Sequence, residues 1–220
     1  MYLAWAIFCE GPGDKQYFEV LLPRLLDDII RVDGSRAVEI PPIPAITPGR
    51  RGQGIEAVAR EICRNAAAFH LLFIHADPDG RVREADLASR SAAYCRAVQD
   101  QCAWPPARCV LLTPRRETEA WALADPGAVT AALGFTGSPA DIGLPENAAA
   151  AERLPDPKAV LELAASSVRG RRSRLPGAGL LAAIAGRQAI TALRQAASFQ
   201  EFETRLRAGL VDLGCLAAPP

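Results

Sequence analysis

Three carboxylates stand where the chain could use them together. Asp77 and Asp79 lie two positions apart in Asp77-Pro78-Asp79-Gly80, directly after the apolar run 71–76 (LLFIHA). In extended geometry residues at that spacing point to the same side. Carboxylates so close repel each other, and without a cation one of them tends to take up a proton. A hard divalent ion removes the conflict; Mg²⁺ is typically held by one or two carboxylates together with waters and substrate phosphates. Glu10 follows a second apolar run, 3–9 (LAWAIFC), and supplies a third carboxylate if its strand lies beside that of Asp77. The competing reading is a plain turn, because Asp, Pro and Gly favour turns for local reasons. An EF-hand calcium loop is not sustained, since Val82 stands where an oxygen ligand is required. A phosphoacceptor receiver site would need a second acid beside Glu10 and a lysine after a late strand. Gly11 and Pro12 follow Glu10 instead, and Lys158 lies far beyond the sheet.

The elements that must position these groups read as alternating strands and helices. Residues 3–9 and 71–76 are continuous apolar runs that stop at turn residues, the pattern of buried strands. Residues 108–113 (RCVLLT) form another. After Asp14, which can cap the helix that follows, the positions Tyr17, Phe18, Leu21, Leu22, Leu25, Leu26 and Ile29 recur at helical spacing. Pro23 predicts a kink or break within that helix. Residues 38–46 carry Pro41, Pro42 and Pro44, which confine them to an edge strand or extended segment. Helices are expected over 55–69 and 84–101. Beyond Glu119 the pattern is helical over 119–124, 126–133, 156–168, 180–197 and 199–210, with a Gly/Pro loop over 134–145. Alternation of this kind implies an α/β fold with a mostly parallel sheet flanked by helices. In such sheets ligands bind outside the carboxyl ends of the strands. Glu10, Asp77 and the segment 113–119 all follow such ends. The expected division is an α/β core over 1–134 and a helical C-terminal extension over 135–220 packed on it.

Composition sets limits. The chain has 220 residues, half of them hydrophobic, enough for a sizeable core. Positive and negative side chains balance at 25 each, so any basic surface must be local. Arg169, Arg171, Arg172 and Arg174 form one such cluster, and Arg50-Arg51 and Arg115-Arg116 add pairs. A flexible Arg loop suits phosphate contacts that carry no sequence information; an ordinary solvated loop has the same composition. Six cysteines are present (Cys9, Cys63, Cys95, Cys102, Cys109 and Cys215) and none forms a CxxC pair, so the spacing of a zinc site is missing. Most lie in apolar runs, where a free thiol behaves as a small hydrophobe, and a reduced cytoplasm is the expected compartment. Residues 1–9 are too short for a secretory signal, and no apolar run is long enough to span a membrane.

Glu10-Gly11-Pro12-Gly13-Asp14-Lys15 after one strand, and Asp77-Pro78-Asp79-Gly80 after a later one, resemble the Toprim domain of topoisomerases, primases and OLD-family nucleases. Three further stretches sharpen the likeness: 117–126 (ETEAWALADP), 155–158 (PDPK) and 197–202 (ASFQEF). Together they look like a Toprim-like domain-of-unknown-function family of bacteria and archaea, often encoded beside ATPases. The resemblance covers nearly the whole chain. It implies a Toprim-like Rossmannoid in which Glu10 is a general acid/base or metal ligand, and Asp77 and Asp79 are the metal-binding pair. It adds Glu119 as a further ligand, with Glu117 and Asp125 as weaker candidates, and Mg²⁺ or Mn²⁺ as the cofactor.

These groups suit phosphodiester cleavage, which needs an activated water and a neutralised leaving oxygen. Lys158 would contact the scissile phosphate as a point charge, or stand solvated in the first turn of its helix. Trp121 reads as core rather than as a base-stacking platform. The expected function is a divalent-metal-dependent nuclease acting on DNA or RNA, in phage defence or repair. The alternative is a non-enzymatic metal-binding partner of an ATPase, because the chain carries no GxxxxGK[ST] loop of its own.

Overall fold

A computed structural model describes residues 1–49, 53–76, 89–169 and 177–218. Asp77, Asp79, Arg171, Arg172 and Arg174 lie outside these residues, as do Arg50, Arg51 and the side chain of Arg169. The chain divides into two compact units. The first comprises Met1–Gly11, Leu22–Thr113 and Phe202–Pro220; the second comprises Pro12–Leu21 and Pro114–Glu201.

The first unit is α/β. Its strands β1 (Trp5–Cys9), β2 (Leu71–His75) and β3 (Cys109–Leu111) form a parallel sheet in the order β1-β2-β3. Trp5 pairs with Leu71 and Cys9 with His75, while Leu72 pairs with Cys109. Period-two alternation divides the strand residues between two faces. Ala6, Phe8, Leu72 and Ile74 join one buried cluster with Val58 and Ile62 of α2 (Ile55–Arg64) and Tyr94 and Val98 of α3 (Ser89–Cys102). Trp5 and Phe73 point the other way and meet edge to face. Phe73 then packs on Phe202, from the part of α10 (Ala197–Asp212) that belongs to this unit. Gly209 of the same helix lies so close to the Ala107 carbonyl that an added Cβ would sit 2.6 Å from its oxygen.

The proline-bearing segment after α1 (Pro12–Asp33) is extended along β1. It makes isolated bridges at Glu39 and Ile46, and Ala45 donates to the Trp5 carbonyl at 2.7 Å. Prolines there remove donors that an outer strand does not need. Pro23 does not break α1, which runs through it as one 22-residue helix. The division between the units falls immediately before it, at Leu21/Leu22.

The second unit is helical among its described residues. It contains the start of α1, then α4 (Thr118–Ala122), α5 (Pro126–Leu133), α6 (Ala148–Ala151), α7 (Pro157–Arg169), α8 (Gly177–Ala185), α9 (Ile190–Leu193) and the start of α10. Trp121 is fully buried between Phe18 and Phe199, as expected of a core residue, and its indole N–H donates to the Ser198 hydroxyl at 2.7 Å. The single helix expected over 180–197 is two helices. The chain leaves α8 at Gly186, and Gln188 turns inward to become fully buried. Its amide donates to the Trp121 carbonyl at 2.5 Å and accepts from the Tyr17 hydroxyl at 2.7 Å. Those buried partners offset what the interrupted helix loses.

Candidate functional site

The carboxyl end of the sheet gathers the groups that could act. β1 and β2 are adjacent and parallel, so the condition for Glu10 to stand near the chain entering Asp77 is met at the level of the strands. The pairing continues one step past β1, where the Glu10 N–H donates to the His75 carbonyl at 3.3 Å. His75 is buried, and its Nδ1 lies 3.1 Å from the Leu112 carbonyl, beyond the end of β3. Three strand ends are thereby tied together by backbone and imidazole.

Helix α3 holds this end in place. Arg90 donates to Oε1 of Glu10 from Nε at 3.0 Å and from Nη2 at 2.6 Å. The Tyr94 hydroxyl donates to the same oxygen at 3.0 Å. Arg90 and Tyr94 are one helical turn apart, so both reach from one face. Between them, the Ser91 hydroxyl accepts from the Ala76 N–H at 3.0 Å and donates to the Ala76 carbonyl at 3.3 Å. One turn of α3 thus fastens Glu10 and the residue immediately before Asp77. Burial, and then the hydrogen bond to Glu10, push the Tyr94 phenol up to about 12, so it serves as a donor. Among the described residues, Oε2 of Glu10 has no hydrogen-bond partner, which leaves it open to a cation or to a water proton.

Arg90, Ser91 and Tyr94 were not singled out by the sequence. The available signal was weak: two polar side chains four apart on one helix, with their target 80 residues away.

Glu119 belongs to the second unit, in the first turn of α4. Burial foremost, and then the charges of Asp14 and Glu117, push its carboxyl up to about 7 from 4.5, with Lys158 acting the other way. Glu117 accepts from the Lys158 N–H at 3.2 Å, at the start of α7. Asp125 caps α5 by accepting from the Ala128 N–H at 3.0 Å and also accepts from Ala189 at 2.9 Å. Both acids therefore have structural employment. Lys158 is exposed in the first turn of its helix. Arg116 is exposed in the loop before α4 with a left-handed φ of 70°.

The cysteines depart from their expected reading as free thiols. Cys63 is bonded to Cys102 and Cys95 to Cys109, whereas Cys9 and Cys215 form no disulfide. The partners lie 39 and 14 residues apart. Apolar burial would explain them singly, but the packing of α3 on α2 and on β3 brings them together in pairs.

No group of three His, Cys, Asp or Glu side chains among the described residues is placed to hold a metal ion. No protein-family model, curated protein or solved structure matches the chain. No helix among the described residues is long and apolar enough to cross a membrane.

Proposed function

We propose that the chain is a divalent-metal-dependent phosphodiesterase that cleaves DNA or RNA, with a Toprim-like centre led by Glu10. One relationship carries the reading: β1 and β2 run side by side in parallel up to Cys9 and His75, so Glu10 and the chain entering Asp77 leave neighbouring strands at the same end. Open α/β sheets bind their ligands outside that end.

The donor chemistry suits Mg²⁺ or Mn²⁺. Glu10 offers one carboxylate oxygen that has no partner among the described residues, and Asp77 and Asp79, which lie outside them, are the proposed remaining ligands. When bound, such an ion lowers the pKa of water and neutralises a leaving oxygen. The chain's own part is positional. Arg90 and Tyr94 occupy Oε1 of Glu10, so that Oε2 is the oxygen turned to ligand or proton. Phosphate contacts are proposed for Lys158 and for Arg169, Arg171, Arg172 and Arg174 of the second unit, and a cytoplasmic setting for the whole.

A second reading, a metal-binding partner of an ATPase, draws on the absence of a GxxxxGK[ST] loop from the sequence.

The test is incubation of the full chain with supercoiled plasmid, linear DNA and single-stranded RNA in Mg²⁺ or Mn²⁺, beside Glu10→Ala and Asp77→Ala. The expected result is metal-dependent cutting that both substitutions abolish. No cutting by a folded wild type, alone or with a candidate ATPase, contradicts the enzyme and favours the partner role.

A further inference from the structure

Helix α3 carries the three side chains that hold Glu10 and Ala76, and it also carries one member of each disulfide. Cys102, at its last residue, is bonded to Cys63 near the end of α2. Cys95, immediately after Tyr94, is bonded to Cys109, the first residue of β3. Cys109 is in turn paired with Leu72 of β2. A covalent path therefore runs from the turn of α3 that grips Glu10 into the strand ladder that ends beside it. Cys63, Cys102 and Cys109 are partly exposed, while Cys95 is buried at 6%. An oxidant or a small thiol thus has a sulfur to attack in each pair.

We propose that Cys95–Cys109 and Cys63–Cys102 form a reversible oxidation site that locks α3, and that the lock sets how firmly Glu10 and Ala76 are held. The oxidant is a peroxide. A thiolate of one pair attacks a peroxide oxygen, giving a sulfenic acid and releasing water. The second thiol of the pair then displaces water from that sulfur and closes the S–S bond. Each pair gives up two electrons and two protons, and hydrogen peroxide leaves as two waters. Small dithiols or glutathione reopen the bond by exchange through a mixed disulfide.

The two crosslinks divide the work. Cys95–Cys109 is one residue from Tyr94 and acts on the gripping turn. Cys63–Cys102 acts on the far end of the helix, two turns away. Opening the first frees the grip of Arg90, Ser91 and Tyr94; opening the second frays only the last turn. As a control on catalysis this rests on the Glu10 reading above, but the lock is measurable without any substrate.

The experiment is thiol alkylation followed by intact-mass measurement, paired with hydrogen exchange, on the full chain after peroxide and after glutathione or dithiothreitol. Peroxide should leave only Cys9 and Cys215 open to alkylation under denaturing conditions, and reduction should return the other four. On reduction, protection of amides 90–96 should fall by about tenfold. Under peroxide, Cys95→Ser should show the same loss, whereas Cys63→Ser should lose protection only near Cys102. The wild type in its two redox states carries the test if a variant fails to fold. Four thiols that alkylate freely after peroxide would overturn the proposal. So would pairs that stay closed in glutathione, or equal protection around Arg90 and Tyr94 in both states. A chain that cuts no nucleic acid yet shows the redox-dependent protection would sink the nuclease reading and leave the lock standing.

Discussion

Arg90 grips Glu10 through two donors on one carboxylate oxygen, at 3.0 and 2.6 Å, from a helix that begins 79 residues after it. Both side chains are about one-quarter exposed. A pair at that exposure is partly shielded from solvent screening, and its two donors make it stronger than a single contact in open solvent. Arg90→Ala should therefore cost about 1 kcal/mol in urea unfolding. Arg90→Lys should restore only part, because an ammonium cannot supply the planar fork. A full rescue by lysine would show that charge alone matters there.

Tyr94→Phe removes the third hydrogen bond to the same oxygen and keeps the ring against Phe8, whose centroid lies 4.6 Å away. The expected loss is about 1 kcal/mol. Combined with Glu10→Gln, it should be clearly less than additive, because both changes touch one hydrogen bond. Additive losses in that double-mutant cycle would show the contact to be energetically empty.

Glu119 makes stability depend on pH. Its carboxyl is raised to about 7 in the fold, mainly by burial. The folded chain therefore holds that proton more tightly than the unfolded chain does. The stabilisation is present in full below about 4.5 and is lost as pH rises through 7, with an upper bound of about 3 kcal/mol. Glu119→Gln should remove this dependence. Urea midpoints near pH 5 and pH 8 should separate more for the wild type than for the variant; equal separations would contradict the assignment.

Gln188 is the polar pin of the helical unit. Replacing it by Ala removes the amide that bonds the buried Tyr17 hydroxyl and the Trp121 carbonyl. The expected loss is about 2–4 kcal/mol in unfolding free energy. Tyr17→Phe, which removes the hydroxyl's bond to Gln188 and leaves the Gln188–Trp121 contact in place, should cost about 1 kcal/mol. Similar losses for both would place the strength of the network elsewhere.

Much of the scaffold was legible because its signals are local. The apolar runs before Glu10 and Asp77 are strands, the helix at Pro126–Leu133 begins and ends as its Pro and Gly signals indicate, and three prolines kept 38–46 extended. What escaped was non-local. A hydrogen bond from Arg90 to Glu10, and a bond from Cys95 to Cys109, depend on which helix turn faces which strand, and periodicity carries no partner information. Pro23 does not break the helix for a related reason: its cost is local, whereas the burial of Leu21, Leu22, Leu25 and Leu26 that sustains α1 is tertiary.

The role of Glu10 is tested by nicking of supercoiled plasmid in Mn²⁺ by the wild type and by Glu10→Gln, with circular dichroism to show that both are folded. The substitution keeps the shape and removes the charge. Wild-type nicking should stop on chelation and should fall at least about a hundredfold in the variant. Equal nicking by the two proteins, or nicking that survives chelation, would contradict a metal-dependent centre built on Glu10.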